Sequence, residues 1–195
     1  WLFTVDGEAA QNDFMDGIDT TWGRFEGGKA VADALDEALT AFQPRAPEKS
    51  LPGLLKARRA LAAVNATEAK ERLAELDEAI AAAAGLHFEA ATSEKWAPIL
   101  GSVEISVTAI ARGKVKVDVV HVVANNVHFE GGALGTNTVW TKKQTAMTRG
   151  PRHLSRPYYA PVTDTPGRYH VQGLSLLGEP ADPPVIRARG RFGID

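Results

Sequence analysis

The chain has 195 residues, with 22 basic and 24 acidic side chains, a net charge of −2 and a pI near 6.2, so it lacks the basic footprint of a nucleic-acid binder. It contains no cysteine, which excludes disulfides, thiolate metal sites and a Cys nucleophile. No apolar run approaches the roughly 18–20 residues of a membrane helix, so no membrane span is expected, and no charged-then-apolar signal segment opens the chain.

The chain begins on the strand-like run Trp1-Leu2-Phe3-Thr4-Val5 and closes just after another, which reads as a piece of a longer polypeptide. From residue 28 to residue 86 the composition is rich in Ala, Leu, Glu and Lys with helical spacing of apolar positions. A first helix carries Val31, Leu35, Leu39 and Phe42 on one stripe and is stopped by Pro44 and Pro47. Ser50 is the expected N-cap of a second, with Pro52 in its first turn and Leu51, Leu54, Leu55, Leu61 and Val64 available for burial. Asn65-Ala66-Thr67-Glu68 has the form of a capping box opening a third helix, whose inner face is Ala69, Leu73, Leu76, Ile80 and Ala83. Gly85 fits the left-handed position that ends it.

Beyond Trp96-Ala97-Pro98 the pattern changes to period two. Val103, Ile105, Val107 and Ala109 alternate with polar residues, and Arg112-Gly113-Lys114 turns into Val115, Val117 and Val119, which reads as a hairpin with one buried face. Further strands are expected at Val119–Val123, Val127–Glu130, Thr138–Thr141, Arg168–Gln172 and Val185–Ile194, with Gly131–His153 the least regular stretch. In the last strand Ile186, Ala188, Phe192 and Ile194 share one face and Arg187, Arg189 and Arg191 the other. The expected fold class is α+β: an N-terminal helical segment of about three helices, then an Ig-like antiparallel β-sandwich. The expected divisions are a junction segment over 1–27, the helical segment over 28–97 and the sandwich over 98–195.

Three runs near the end stand in a distinctive order: Ser155-Arg156-Pro157-Tyr158-Tyr159, Gly167-Arg168-Tyr169-His170-Val171, and Leu177-Gly178-Glu179-Pro180-Ala181-Asp182-Pro183-Pro184. Near the start are Phe14-Met15-Asp16-Gly17-Ile18-Asp19-Thr20-Thr21-Trp22-Gly23-Arg24 and Pro47-Glu48-Lys49-Ser50-Leu51-Pro52. Together they resemble the accessory region of large bacterial PIG-L/LmbE-like zinc-dependent deacetylases, although Tyr159 stands where that family usually has Trp. The resemblance implies a parent polypeptide whose Rossmann-like catalytic domain binds zinc and removes N-acetyl groups from amino sugars by metal-activated water attack. The family's His-Pro-Asp-Asp metal run does not occur here. No catalytic or metal-binding residue is therefore assigned to this chain, no cofactor is expected in it, and zinc is expected in the absent domain. The implied partner is that catalytic domain, which 1–27 would border. The compartment stays open, the resemblance leaning to a periplasmic or secreted one.

Asp13, Asp16 and Asp19 suggest a solvated, locally capped turn rather than a calcium loop, because the alternating oxygens and closing Glu are missing. Contact with the absent domain is the other role for Asp16, Asp19 and Trp22. Trp140, Tyr158 and Tyr159 could present a sugar platform, but packing of the loop onto the sandwich is the commoner use of such rings. His121, His128 and Glu130 lie close in sequence, yet on one extended strand His121 and His128 face opposite sides. His87 and His170 lack a carboxylate or His at ligand spacing, and the Arg stripe reads first as a solvated face that blunts edge pairing. No Gly-x-Ser-x-Gly or phosphate loop is present. The sequence thus predicts a non-catalytic accessory region, with a carbohydrate-binding sandwich as the alternative. On the first reading apolar surface stays uncovered, around Trp1, Phe3, Phe14 and Trp22.

Overall fold

The computed structural model describes residues 15–95, 100–148 and 186–194. They divide into two compact units: the described residues up to Leu86 with the turn Arg112–Val115, and His87–Ala111 with the described residues from Lys116 onward. The described residues are α+β, three helices followed by two three-stranded sheets.

In the helical unit a short 3-10 turn, Trp22–Arg24, leads to α1 (Gly28–Ala41). A second such turn, Pro47–Ser50, runs into α2 (Leu51–Ala63), and α3 spans Thr67–Ala83. The buried stripe of α1 is Val31, Ala34 and Ala38, with Leu35 half-buried, whereas Leu39 is 74% and Phe42 50% exposed. The expected Val31-Leu35-Leu39-Phe42 stripe is therefore rotated toward the alanines. The cause is close approach: a Cβ added to Gly53 of α2 would meet the Ala38 backbone nitrogen at 2.5 Å, so these helices touch through small residues. On α2, Leu51, Gly53, Ala57 and Leu61 are buried; on α3, Ala69, Leu76, Ile80 and Ala83.

α2 starts where expected, with Ser50 at the N-cap position and Pro52 in the first turn but without the side-chain cap bond, whereas the start of α3 is corrected. Ser50 already has helical angles, and its hydroxyl donates to the Pro47 carbonyl (2.7 Å) instead of capping α2. The capping box does not form, because α3 starts at Thr67 with Ala66 as its uncapped N-cap and Asn65 one residue outside. Glu68 thereby falls in the first turn, where its charge still suits the helix dipole. Gly85 does take the left-handed conformation (φ 64°), its N–H bonded to the Ala82 carbonyl at 3.0 Å. The carbonyls of Ala84 and Gly85 then accept from Gly113 and Arg112 at 3.2 and 2.9 Å, satisfying the helix end.

The second unit holds most of the strands: β1 (Leu86–Thr92), β2 (Ser102–Ala111), β3 (Val117–Ala124), β4 (Val127–Leu134), β5 (Trp140–Met147) and β6 (Ala188–Ile194). Sheet 1 has the order β1-β2-β5 and sheet 2 the order β4-β3-β6. The β2–β5, β3–β4 and β3–β6 pairs are antiparallel. Val103, Ile105, Val107, Ala109 and Ala111 of β2 are buried, as are Val117, Val119, Val122 and Ala124 of β3 and Phe129 of β4. Each sheet thus has one buried face, giving a sandwich-like pair. At one margin Phe88 of β1 meets Phe192 of β6 edge to face (centroids 5.5 Å), and at the other Gln144 of β5 donates to the His128 carbonyl of β4 (2.8 Å).

The hairpin expected from β2 into β3 is not formed: these strands belong to different sheets. Alternation reveals which face is buried, and two valine-lined faces satisfy it equally by facing across a core. The stretches expected as separate strands around Val119 are one strand, β3, broken by a bulge. Register with β6 shifts by one between Val119 and His121, leaving Val120 as the extra residue. Val120 and His121 are consequently both exposed, while Val117, Val119, Val122 and Ala124 all remain inside. The irregular Gly131–His153 stretch contains the end of β4 and all of β5, and β1 was not anticipated. The expected strand Arg168–Gln172 lies outside the described residues.

Candidate functional site

At the start of the helical unit, Asp19 is committed to local structure. One of its carboxylate oxygens accepts from the Thr21 amide (2.8 Å) and hydroxyl (2.7 Å), and Thr21 in turn caps the 3-10 turn through Gly23 N–H (3.1 Å). The Thr21 hydroxyl bond, then the Thr21 amide bond, hold the Asp19 carboxyl below its ordinary pKa. Asp16 is half-buried beside Gly17, whose φ is 83°. Trp22 is half-buried and tilted against Phe25 at 5.7 Å, and the Arg24 guanidinium lies 4.6 Å from the centre of the Phe25 ring. Arg24 also reaches Glu68 at 4.0 Å. The cleft they line, with Thr20 and Arg72, measures about 220 Å³, below the ~300 Å³ at which ligand pockets begin.

A larger opening lies on the same unit. Leu35 and Leu39 of α1, Phe42 just beyond its end, Pro47, Leu54 of α2 and Ala82 of α3 line an apolar groove of about 550 Å³. Its polar lining residues are Asp36 and Ser50, and the Ser50 hydroxyl is already bonded to Pro47. Such a surface can hold apolar groups but offers no nucleophile with an adjacent base. The sequence signal was present in Leu39 and Phe42, which period alone places in the core.

In the sheet unit Trp140 opens β5 opposite Ala109 and is half-buried. A Cβ added at Gly132 of β4 would come 3.4 Å from its indole nitrogen, so the glycine leaves room for the ring. Tyr158 and Tyr159 lie outside the described residues, as do Trp1, Phe3, Phe14, Asp13 and His170. His121 and His128 do not face opposite sides, in contrast to the single-strand expectation. They sit on adjacent strands, the bulge turns His121 outward, and Glu130 is its direct cross-strand partner. Even so, among the described residues no group of three His, Asp or Glu is close enough to hold a metal ion. His87 does have a carboxylate neighbour, Glu89, at 3.8 Å on exposed β1. Arg187, Arg189 and Arg191 are all exposed.

No protein-family model, curated protein or solved structure matches this chain. No helix among the described residues is long and apolar enough to cross a membrane.

Proposed function

We propose that this chain is a non-catalytic accessory region of a PIG-L/LmbE-like N-deacetylase, its helical unit docking the zinc-bearing catalytic domain and its paired sheets forming an Ig-like sandwich. The observation that carries the reading is the uncovered apolar groove. Leu39 and Phe42 are large side chains exposed beside half-buried Leu35 and Leu54, a patch that a partner surface would remove from water. The ordered motifs shared with that family supply the identity of the partner. The chemistry would belong to the partner, whose zinc would supply the activation of water for N-acetyl hydrolysis.

The groove gives this proposal a direct test. A separately expressed deacetylase domain should bind the chain, and Leu39→Asp with Phe42→Asp should weaken binding by at least about tenfold. Because both side chains are exposed, the chain's own unfolding midpoint should scarcely move. Equal binding by the variant would remove the groove from the interface.

A second reading, a carbohydrate-binding sandwich, draws on a different observation. Trp140 is only half-buried, with Gly132 of β4 beside its indole, and a ring left partly open in this way can serve as a sugar contact.

A further inference from the structure

The three helices leave one side of their unit open. α2 packs along both α1 and α3, whereas α1 and α3 scarcely touch each other. The apolar groove of about 550 Å³ lies between them, with Leu35 and Leu39 on one wall, Ala79 and Ala82 on the other and Leu54 of α2 on the floor. Along α1 its lining runs from Leu35 to Phe42 just past the helix end, two helical turns or about 10 Å at roughly 1.5 Å per residue.

The lining decides what kind of segment fits. Of its two polar members, Ser50 already donates its hydroxyl to Pro47, and Asp36 is exposed. An extended segment laid against these alanines and leucines would leave backbone N–H and C=O groups facing carbon, whereas a helix satisfies its own. The charges of the two walls choose the sign of the segment. From Ala30 to Ala41 α1 carries Asp33, Asp36 and Glu37 and no Lys or Arg; from Leu73 to Ala83 α3 carries Glu75, Asp77 and Glu78 and again no base. Lys29, Lys56, Arg72 and Arg58 pair with Asp33, Glu37, Glu75 and Asp77 respectively. One carboxylate on each wall has no ion pair among the described residues: Asp36, which lines the groove, and Glu78, which stands beside lining Ala79 and one turn before lining Ala82. We propose that the groove takes an amphipathic helix as the fourth helix of the unit. Its apolar side chains at i, i+3 or i+4 and i+7 fill the groove, and Lys or Arg on its two flanks meet Asp36 and Glu78.

The inference rests on the docking reading, to which it adds the shape and charge of the docking element. Other apolar occupants meet the walls less well. A fatty acid would set its own carboxylate beside Asp36, like charge against like. A second copy docking through the same groove would bring the acidic walls of both copies together.

Three synthetic peptides about four helical turns long, titrated into the full chain, test it: a Leu-striped helix former flanked by Lys, its twin flanked by Glu, and a twin of the first broken by two central prolines. The Lys-flanked peptide should bind and gain helical circular dichroism, and the other two should bind at least about tenfold more weakly. Asp36→Lys with Glu78→Lys, both at exposed positions, should reverse the preference in favour of the Glu-flanked peptide, a gain that a misfolded variant cannot imitate. No binding of the Lys-flanked peptide, equal binding by its proline twin, or a preference that survives the charge reversal would overturn the proposal. So would tighter binding of dodecanoate than of the Lys-flanked peptide. If the peptide fails while a separately expressed deacetylase domain binds and is weakened by Leu39→Asp with Phe42→Asp, the helix is overturned and the docking reading stands. If the peptide binds and that domain does not, the helix stands and the deacetylase reading falls.

Discussion

Gly53 and Asp19 show how single residues fix the helical unit. Replacing Gly53 by Ala raises helix propensity by about 1 kcal/mol. The new Cβ, however, meets the Ala38 backbone at 2.5 Å, and a backbone atom cannot swing away as a side-chain tip can. Overpacking of this kind costs about 1–3 kcal/mol, so Gly53→Ala should lower the denaturant midpoint rather than raise it. Asp19 has a depressed carboxyl pKa, caused first by the Thr21 hydroxyl and then by its amide. A carboxyl depressed in the folded state stabilises it fully above its unfolded pKa, and that contribution disappears as pH falls through the folded value. The Thr21 and Gly23 amide signals should therefore shift together with Asp19 in an NMR titration below about pH 4, and Asp19→Asn should abolish that transition. Caps were poorly legible in the sequence for a related reason: Asn65 and Glu68 have the right spacing, but a one-residue change in where α3 starts disconnects them.

Among the elements, β3 shows what period-two alternation can and cannot specify. Its valines announce a buried face, and they are buried, but the partner strand and the parity break at Val120 depend on residues far away in sequence. The same limit explains why β2 and β3 read as a hairpin. β1 was hidden because only Leu86 and Phe88 are drawn inward before Ala90 and Ala91 end the alternation. The helices were more legible, since Leu76, Ile80 and Ala83 repeat at helical spacing and Gly85 supplies the stop. Deleting Val120 restores strict alternation in β3 and a single register with β6, so Val117, Val119, Val122 and Ala124 stay inside and the one-residue mismatch moves to Gly131 of β4. The cost in a urea unfolding measurement should therefore stay below the ~3 kcal/mol that turning two of these side chains outward would bring. Val120→Thr, at an exposed position, should change stability by no more than about 0.5 kcal/mol.

For the molecule as a whole, the division into α and β parts was plain from composition, while the groove was not. The pattern of α1 places its largest apolar residues inside, whereas the Ala38–Gly53 approach leaves Leu39 and Phe42 outside. The polar face of sheet 2 was half visible: the Arg stripe is an alternation in one strand, but its alignment with His121 and Glu130 requires the register of three. On the proposed function, the groove docks a deacetylase domain of the same polypeptide. The intact mass of the native gene product, with peptide sequencing of its upstream portion, tests that most directly. The account predicts a longer product with a His-Pro-Asp-Asp run ahead of Trp1; a native product consisting of these 195 residues alone would contradict it.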